Sequence, residues 1–182
     1  FDRAIDDGEN KRILRLLRES MQNIVLIGMP GSGKTTVGAA LGKLTGRKVI
    51  DLDEQIVGVA GRSIPEIFAD SGEAAFRALE REQALVWGRE SGLILVCGGG
   101  IVKDERNYPA LRQNGRIYQI ARETTQLARE GRPLSAHADL DAMQRERAPL
   151  YRRFRDAEIA NDASPEDAAQ RIWNDYYSHL DD

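Results

Sequence analysis

The sequence predicts an α/β domain in which a parallel sheet is wrapped by crossover helices. Two observations lead there. Short apolar runs alternate with longer stretches of helical periodicity. The first run, Ile24-Val25-Leu26-Ile27, leads straight into Gly28-Met29-Pro30-Gly31-Ser32-Gly33-Lys34-Thr35, which spells the G-x-x-x-x-G-K-[ST] phosphate-binding loop in its strand-loop-helix setting. A chain of 182 residues is the length of one domain, enough to bury about two-thirds of its unfolded surface without disulfide or metal staples.

Taken in order, residues 11–18 place Ile13, Leu14, Leu16 and Leu17 among basic side chains, which reads either as a short amphipathic helix or as a linker. Strands are expected near 24–28, 48–52, 93–97, 116–120 and 157–160. After the first strand and its loop, Val37, Ala40, Leu41 and Leu44 recur at helical spacing until Gly46 stops them. Two helical stretches lie between the second and third strands. Ser63-Ile64-Pro65-Glu66 opens one with a capping box and a proline in the first turn. Phe76, Leu79, Val86 and Trp87 give the next an apolar face, ending by Ser91-Gly92. The final helix starts at Ser164-Pro165-Glu166-Asp167, with acids at the positive end of its dipole, and should bury Ala168, Ile172 and Tyr176.

Twenty-six Lys and Arg against 29 Asp and Glu give a net charge of -3, which offers no electrostatic footprint for nucleic acid. The single Cys97 excludes an intrachain disulfide, and the sequence has neither a signal peptide nor an apolar run of the ~18 residues a membrane helix needs. No membrane partner is expected, and the setting expected is the reducing cytoplasm. His137 and His179 stand far apart and form no metal-ligand cluster with the cysteine.

The loop dictates its own chemistry. Glycines let backbone N–H groups close around phosphate oxygens, Lys34 reaches the β and γ phosphates, and Thr35 offers a hydroxyl to Mg2+. The helix behind it points N–H groups and dipole at the anion. Asp51 and Asp53 end the second strand, where open α/β sheets bind ligands, and alternation turns both to one face. One suits a water-mediated hold on Mg2+ and the other the orientation or deprotonation of a substrate hydroxyl. Two solvated acids capping the next helix are the alternative. Gly98-Gly99-Gly100 closes the third strand with a turn where backbone can approach a bound molecule, although three glycines are also ordinary loop composition.

Arg77 and Glu80, three apart on a helix, are either a surface pair worth a few tenths of a kcal/mol or a carboxylate-held fork aimed at a substrate carboxylate. Arg132, in Arg129-Glu130-Gly131-Arg132-Pro133-Leu134, suits a lid that neutralises charge on a transferring phosphoryl group. Arg147 stands two residues before Pro149, which should kink its helix. For Arg132 and Arg147 a solvated basic face stays open, since Arg145, Arg152, Arg153 and Arg155 are neighbours.

The ordered set resembles the shikimate kinase family. It runs from Gly28-Met29-Pro30-Gly31-Ser32-Gly33-Lys34-Thr35-Thr36-Val37-Gly38 through Asp51-x-Asp53, Gly72-Glu73-x-x-Phe76-Arg77-x-x-Glu80, Gly98-Gly99-Gly100 and Arg132-Pro133-Leu134 to Arg147-x-Pro149-Leu150-Tyr151, and it spans about residues 22–178. Each motif is shared with other kinases of small metabolites; their order is specific. The resemblance implies ATP-dependent phosphorylation of the 3-hydroxyl of shikimate, on the way to chorismate and the aromatic amino acids, with ATP and Mg2+ as cofactors. It implies a three-layer α/β/α P-loop kinase fold with five parallel strands in order 2-3-1-4-5 and, here, a short lid. It implies catalytic roles for Lys34, Asp53 and Arg132, and nucleotide contacts at Gly31, Ser32, Gly33, Lys34, Thr35, Thr36 and Arg129. Metal would sit at Thr35 and Asp51, and substrate at Asp53, Arg77, Gly98, Gly99, Gly100 and Arg147.

Residues 22–182 are then the kinase-like domain and residues 1–21 an N-terminal extension or inter-domain linker. Because kinases of the family this chain resembles sometimes occur fused to other enzymes of the same pathway, an upstream module is one expectation. Two further readings stay open: a kinase of another small hydroxy acid such as gluconate, and a catalytically silent kinase-like binding domain.

Overall fold

The computed structural model describes residues 7–122 and 134–180. At its centre are β1 (Asn23–Ile27), β2 (Val49–Asp51), β3 (Ile94–Val96), β4 (Gly115–Ala121) and β5 (Ala157–Ala160), all parallel, in the order β2-β3-β1-β4-β5. Each strand lies within a residue or two of its expected place. β1 is buried at every position, as a central parallel strand covered on both faces must be.

Seven α-helices are described: α1 (Asp7–Met21), α2 (Lys34–Thr45), α3 (Leu52–Ala60), α4 (Ile64–Gly88), α5 (Asn107–Arg112), α6 (Leu134–Phe154) and α7 (Pro165–Ser178). Strand alternation sorts them into two layers. Ile24, Leu26, Ile94, Val96, Tyr118 and Ile120 point to one side, against Val37 and Leu41 of α2 and Ala168, Ile172 and Tyr176 of α7. Val25, Ile27, Ile50, Leu95 and Ile117 point to the other, against Ala84 of α4, Leu111 of α5 and Leu140, Tyr151 and Phe154 of α6. The α7 residues expected to be buried are buried, and Ser164 caps that helix by accepting from the Asp167 N–H at 3.1 Å.

Three expectations need correcting. First, β2 ends at Asp51, so alternation does not relate Asp51 to Asp53. The Asp51 side chain accepts from the Asp53 N–H at 3.0 Å, which caps α3 and places Asp53 in its first turn. Second, α3 itself was not anticipated; the two stretches that were expected are the two helical segments of α4, the first of which starts at the Ser63–Glu66 capping box. Helix α4 bends at Gly72, whose φ of 79° and ψ of 174° suit glycine. Third, Val86 does not share the apolar face: Phe76 is 5% exposed and Val86 47%. Helix α6 runs on past Pro149 to Phe154, with Leu150, Tyr151 and Phe154 packing it onto the core.

Residues 7–21 are helical. Arg18 Nη1 donates to the Leu180 carbonyl at 2.9 Å and Arg47 Nη1 to the Gln22 carbonyl at 2.8 Å, tying the end of α1 to the body. Ile13, Leu14, Leu16 and Leu17 stay about half exposed. A groove of about 440 Å³ lined by Leu14, Leu17, Met21, Asn114 and Leu180 lies at the N-terminal ends of the strands, away from the phosphate loop.

Candidate active site

The phosphate loop joins β1 to α2 in conformations that glycine permits: Gly28, Gly31 and Gly33 have φ of 145°, 79° and 92°. The space is also tight, since a Cβ on Gly28 would come within 2.5 Å of the Ile120 carbonyl. Ser32 N–H donates to the Met29 carbonyl at 3.1 Å and Thr36 Oγ1 to the Gly33 carbonyl at 2.9 Å. Lys34 is folded onto its own loop, donating to the Gly28 and Met29 carbonyls at 2.9 and 2.8 Å. Burial lowers its pKa to about 8, against the pull of Asp53 and Asp51. Cys97 lies beside this cluster; burial pushes its thiol up, so it stays a neutral, inert side chain.

Across the loop, Thr35 Oγ1 lies 3.5 Å from Asp51 Oδ2. Two hard oxygens side by side suit Mg2+, which keeps several waters and takes the rest of its shell from one or two protein oxygens and phosphates. Asp53 stands one step further in. Its Oδ1 is buried with no hydrogen-bond partner among the described residues, and burial followed by the Asp51 charge raises its pKa.

The three glycines after β3 each face a different part of the site. A Cβ on Gly98 would lie 2.6 Å from Asp53 Oδ1, one on Gly99 2.7 Å from Pro30 Cδ of the phosphate loop, and one on Gly100 2.4 Å from both Arg77 Nη atoms. Any side chain there would fill the cleft between the acid, the loop and the arginine.

Arg77 is held rather than loose. Nη1 donates to Glu80 Oε2 at 2.7 Å, while Nε and Nη2 donate to Glu73 Oε1 at 3.3 and 3.2 Å. Glu80 is 1% exposed, so this is no surface pair; burial pushes its carboxyl up while Arg77 pulls it back. Of five guanidinium N–H donors, these contacts use three and leave one on each Nη, the two atoms that a Cβ on Gly100 would strike. On the opposite wall, Arg147 Nη1 donates to the Gly99 carbonyl at 3.0 Å and its Nε is buried without a partner among the described residues. A cleft ringed by unsatisfied buried groups, a carboxylate oxygen and a guanidinium N–H among them, is shaped for a polar ligand.

The family model described as shikimate kinase matches residues 30–176. The chain belongs to the shikimate kinase family. A shikimate kinase of Nitrosomonas europaea is 41% identical over 139 residues, covering 71% of this chain and 66% of that protein. One of Coxiella burnetii is 37% identical over 168 residues, covering 86% of this chain and 94% of that protein. A solved shikimate kinase from Acinetobacter baumannii in complex with shikimate superposes with a TM-score of 0.81 at 31% identity, over 90% of this chain and 97% of that one.

For a member of the shikimate kinase family the expected site residues fall as follows. Gly31, Ser32 and Gly33 lie in the loop and Lys34, Thr35 and Thr36 in the first turn of α2, Asp51 and Asp53 flank them, and Arg77, Gly98, Gly99, Gly100 and Arg147 converge on the same cleft. Arg129 and Arg132 lie outside the described residues. Three contributors were given no role from the sequence, although Glu73 and Tyr151 stand in the motifs that carry the resemblance. Tyr151, one turn after Arg147, donates its hydroxyl to the Gly99 carbonyl at 2.6 Å. Glu73, one turn before Arg77, also accepts from Lys103 Nζ at 2.7 Å. For both, the i, i+4 spacing was the available signal. The third, Asn161, has no local signal at all. Among the described residues no helix is long and apolar enough to cross a membrane.

Proposed function

We propose that the protein transfers the γ-phosphoryl group of ATP to the 3-hydroxyl of shikimate, giving shikimate 3-phosphate and ADP in chorismate and aromatic amino-acid biosynthesis. The observation that carries this reading is the buried, unpartnered Asp53 oxygen, set between the phosphate loop and the two arginines Arg77 and Arg147. Shikimate is a triol carrying one carboxylate, and that donor set matches it: an acid for a hydroxyl, arginine forks for the carboxylate. The solved relative from Acinetobacter baumannii holds shikimate.

In this reading Asp53 accepts a hydrogen bond from the 3-hydroxyl. As that oxygen bonds to the γ-phosphorus and the bond to the β–γ bridging oxygen breaks, the proton passes to the Asp53 carboxylate. The raised pKa suits a group that must first be a base and then hold a proton. Lys34 leaves the Gly28 and Met29 carbonyls for the β and γ phosphates, where ion pairing favours its charged form. Thr35 and Asp51 would hold Mg2+, which when bound neutralises charge on the phosphates. Arg77 and Arg147 position the ring. Arg129 and Arg132 keep the nucleotide and lid roles that the family resemblance implies.

The reading places the protein in the cytoplasm, where ATP is available. A fused upstream enzyme draws no support from the comparisons: the Coxiella burnetii relative is matched over 94% of its own length. An ADP-release assay with Mg-ATP tests the substrate. Turnover is expected with shikimate and not with gluconate or nucleoside monophosphates; equal turnover on gluconate overturns the assignment.

A further inference from the structure

Asn161 is a polar side chain where the fold has no evident need of one. It follows the last residue of β5, is 8% exposed, and belongs to neither the phosphate loop nor the substrate cleft. Its backbone N–H donates to the Ala121 carbonyl at 2.7 Å, which extends the β4–β5 ladder and fixes its backbone at the sheet edge. Arg171, from α7, donates to the Ala160 carbonyl at 3.3 Å and to Asp162 Oδ1 at 3.2 Å, bracing the residues on either side.

From this anchored position Asn161 Nδ2 donates to the Ser32 carbonyl at 2.9 Å, a buried contact across 129 residues of sequence. The next residue, Gly33, presses on the same amide: a Cβ there would lie 2.3 Å from Nδ2. So the loop and the asparagine are fitted to each other. The peptide linking Ser32 to Gly33 is planar and trans, so its C=O and N–H point in opposite directions. Pinning the Ser32 oxygen outward, toward β5, aims the Gly33 N–H inward, toward the space the loop encloses.

We infer that Asn161 is a positioning residue for the nucleotide phosphates: its amide sets the rotation of the Ser32–Gly33 peptide and so aligns a donor of the phosphate cradle. The inference rests on the reading of residues 28–35 as that cradle. It gives the residue that follows β5, at the sheet edge opposite β2, an indirect part in nucleotide affinity.

The test compares Asn161→Leu, which keeps the side-chain size and loses the donor, and Asn161→Ala with the unaltered protein. Dissociation constants for ADP and for inorganic tripolyphosphate are measured by calorimetry, KM for shikimate at saturating Mg-ATP by ADP release, and Tm by thermal melts. Loss of one aligned donor to an anion predicts that both variants bind ADP and tripolyphosphate about tenfold more weakly, with shikimate KM held within about twofold. The inference is overturned if either folded variant binds tripolyphosphate as tightly as the unaltered protein. It is equally overturned if phosphate affinity and shikimate KM deteriorate together, the pattern of general loosening. An unaltered protein that binds neither ADP nor tripolyphosphate overturns the cradle reading itself.

Discussion

Arg147 and Tyr151, one turn apart on α6, donate to the same oxygen, the carbonyl of Gly99, at 3.0 and 2.6 Å. The shared acceptor ties the arginine's position to the glycine turn that floors the cleft. Tyr151 is 1% exposed and burial raises its pKa to about 12, so it is a neutral donor throughout the working pH range. Tyr151→Phe keeps the ring packing and removes only this bond. A neutral hydrogen bond is worth about 0.5–1.5 kcal/mol, so KM for shikimate should rise roughly two- to tenfold with kcat nearly unchanged. Arg147→Ala, which removes a charged donor, should raise KM further. A tyrosine variant that alters kcat and leaves KM alone would mean that the bond serves the chemical step.

Asp53→Asn separates chemistry from nucleotide binding. The substitution keeps the shape facing Gly98 and removes the proton acceptor, so turnover should fall by about 10² to 10⁴. ADP affinity should hold, because Lys34 and the loop are untouched. Retention of most of the activity would leave Asp53 an orienting residue only.

Acid should expose a different carboxylate. Asp104 follows the 3-10 turn Ile101–Lys103 and is gripped by Arg106 from one side and by Arg81 of α4 from the other, at 2.8 and 3.0 Å. The hydrogen bonds from Arg106, and then that from Arg81, lower its pKa to about 2 from an ordinary 3.8. A depressed folded pKa stabilises the fold fully above the unfolded value and loses that contribution as pH falls through the folded one. Between about pH 5 and 2 the unaltered protein should therefore lose on the order of 1–2 kcal/mol relative to Asp104→Asn, a figure reduced for partial solvent screening. Denaturation of both proteins across that range checks it; curves that stay parallel to pH 2 would remove the pair from the account.

The legibility of this chain follows the range of its interactions. β1, the phosphate loop and α2 were readable because a short continuous segment carries both the apolar period and the glycine spelling. Asp53 lies beside Gly98 for a reason the sequence reading did not give: a cap at Asp51, not strand alternation, sends it there. The two segments of α4 on either side of Gly72 were readable, because a capping box opens one and an apolar period marks the other. Asn161 could not be read at all, since its partner Ser32 is a backbone carbonyl and leaves no trace in side-chain pattern.

The N-terminal helix offers the last prediction. Arg47 holds its end: Nη1 donates to the Gln22 carbonyl, Nη2 to the Glu19 carbonyl, and the guanidinium lies over the Tyr176 ring at 4.8 Å. Tyr176 Oη itself sits within 3.3 Å of the carbonyls of Arg18, Glu19 and Gln22. Upstream of this clasp, Ile13, Leu14, Leu16 and Leu17 are 47–56% exposed, and ordering each residue costs about 1–2 kcal/mol of backbone entropy, which offsets what their half-burial contributes. Removing residues 1–17 should therefore shift Tm by less than about 4 °C, the change expected for roughly 1 kcal/mol in a domain of this size. Arg47→Met should do more, because it strands several carbonyls beneath the helix end and loses bonds from a charged donor worth about 1.5–3 kcal/mol. A truncated protein that melts as early as Arg47→Met would show that the leucine face, and not the clasp alone, belongs to the folded core.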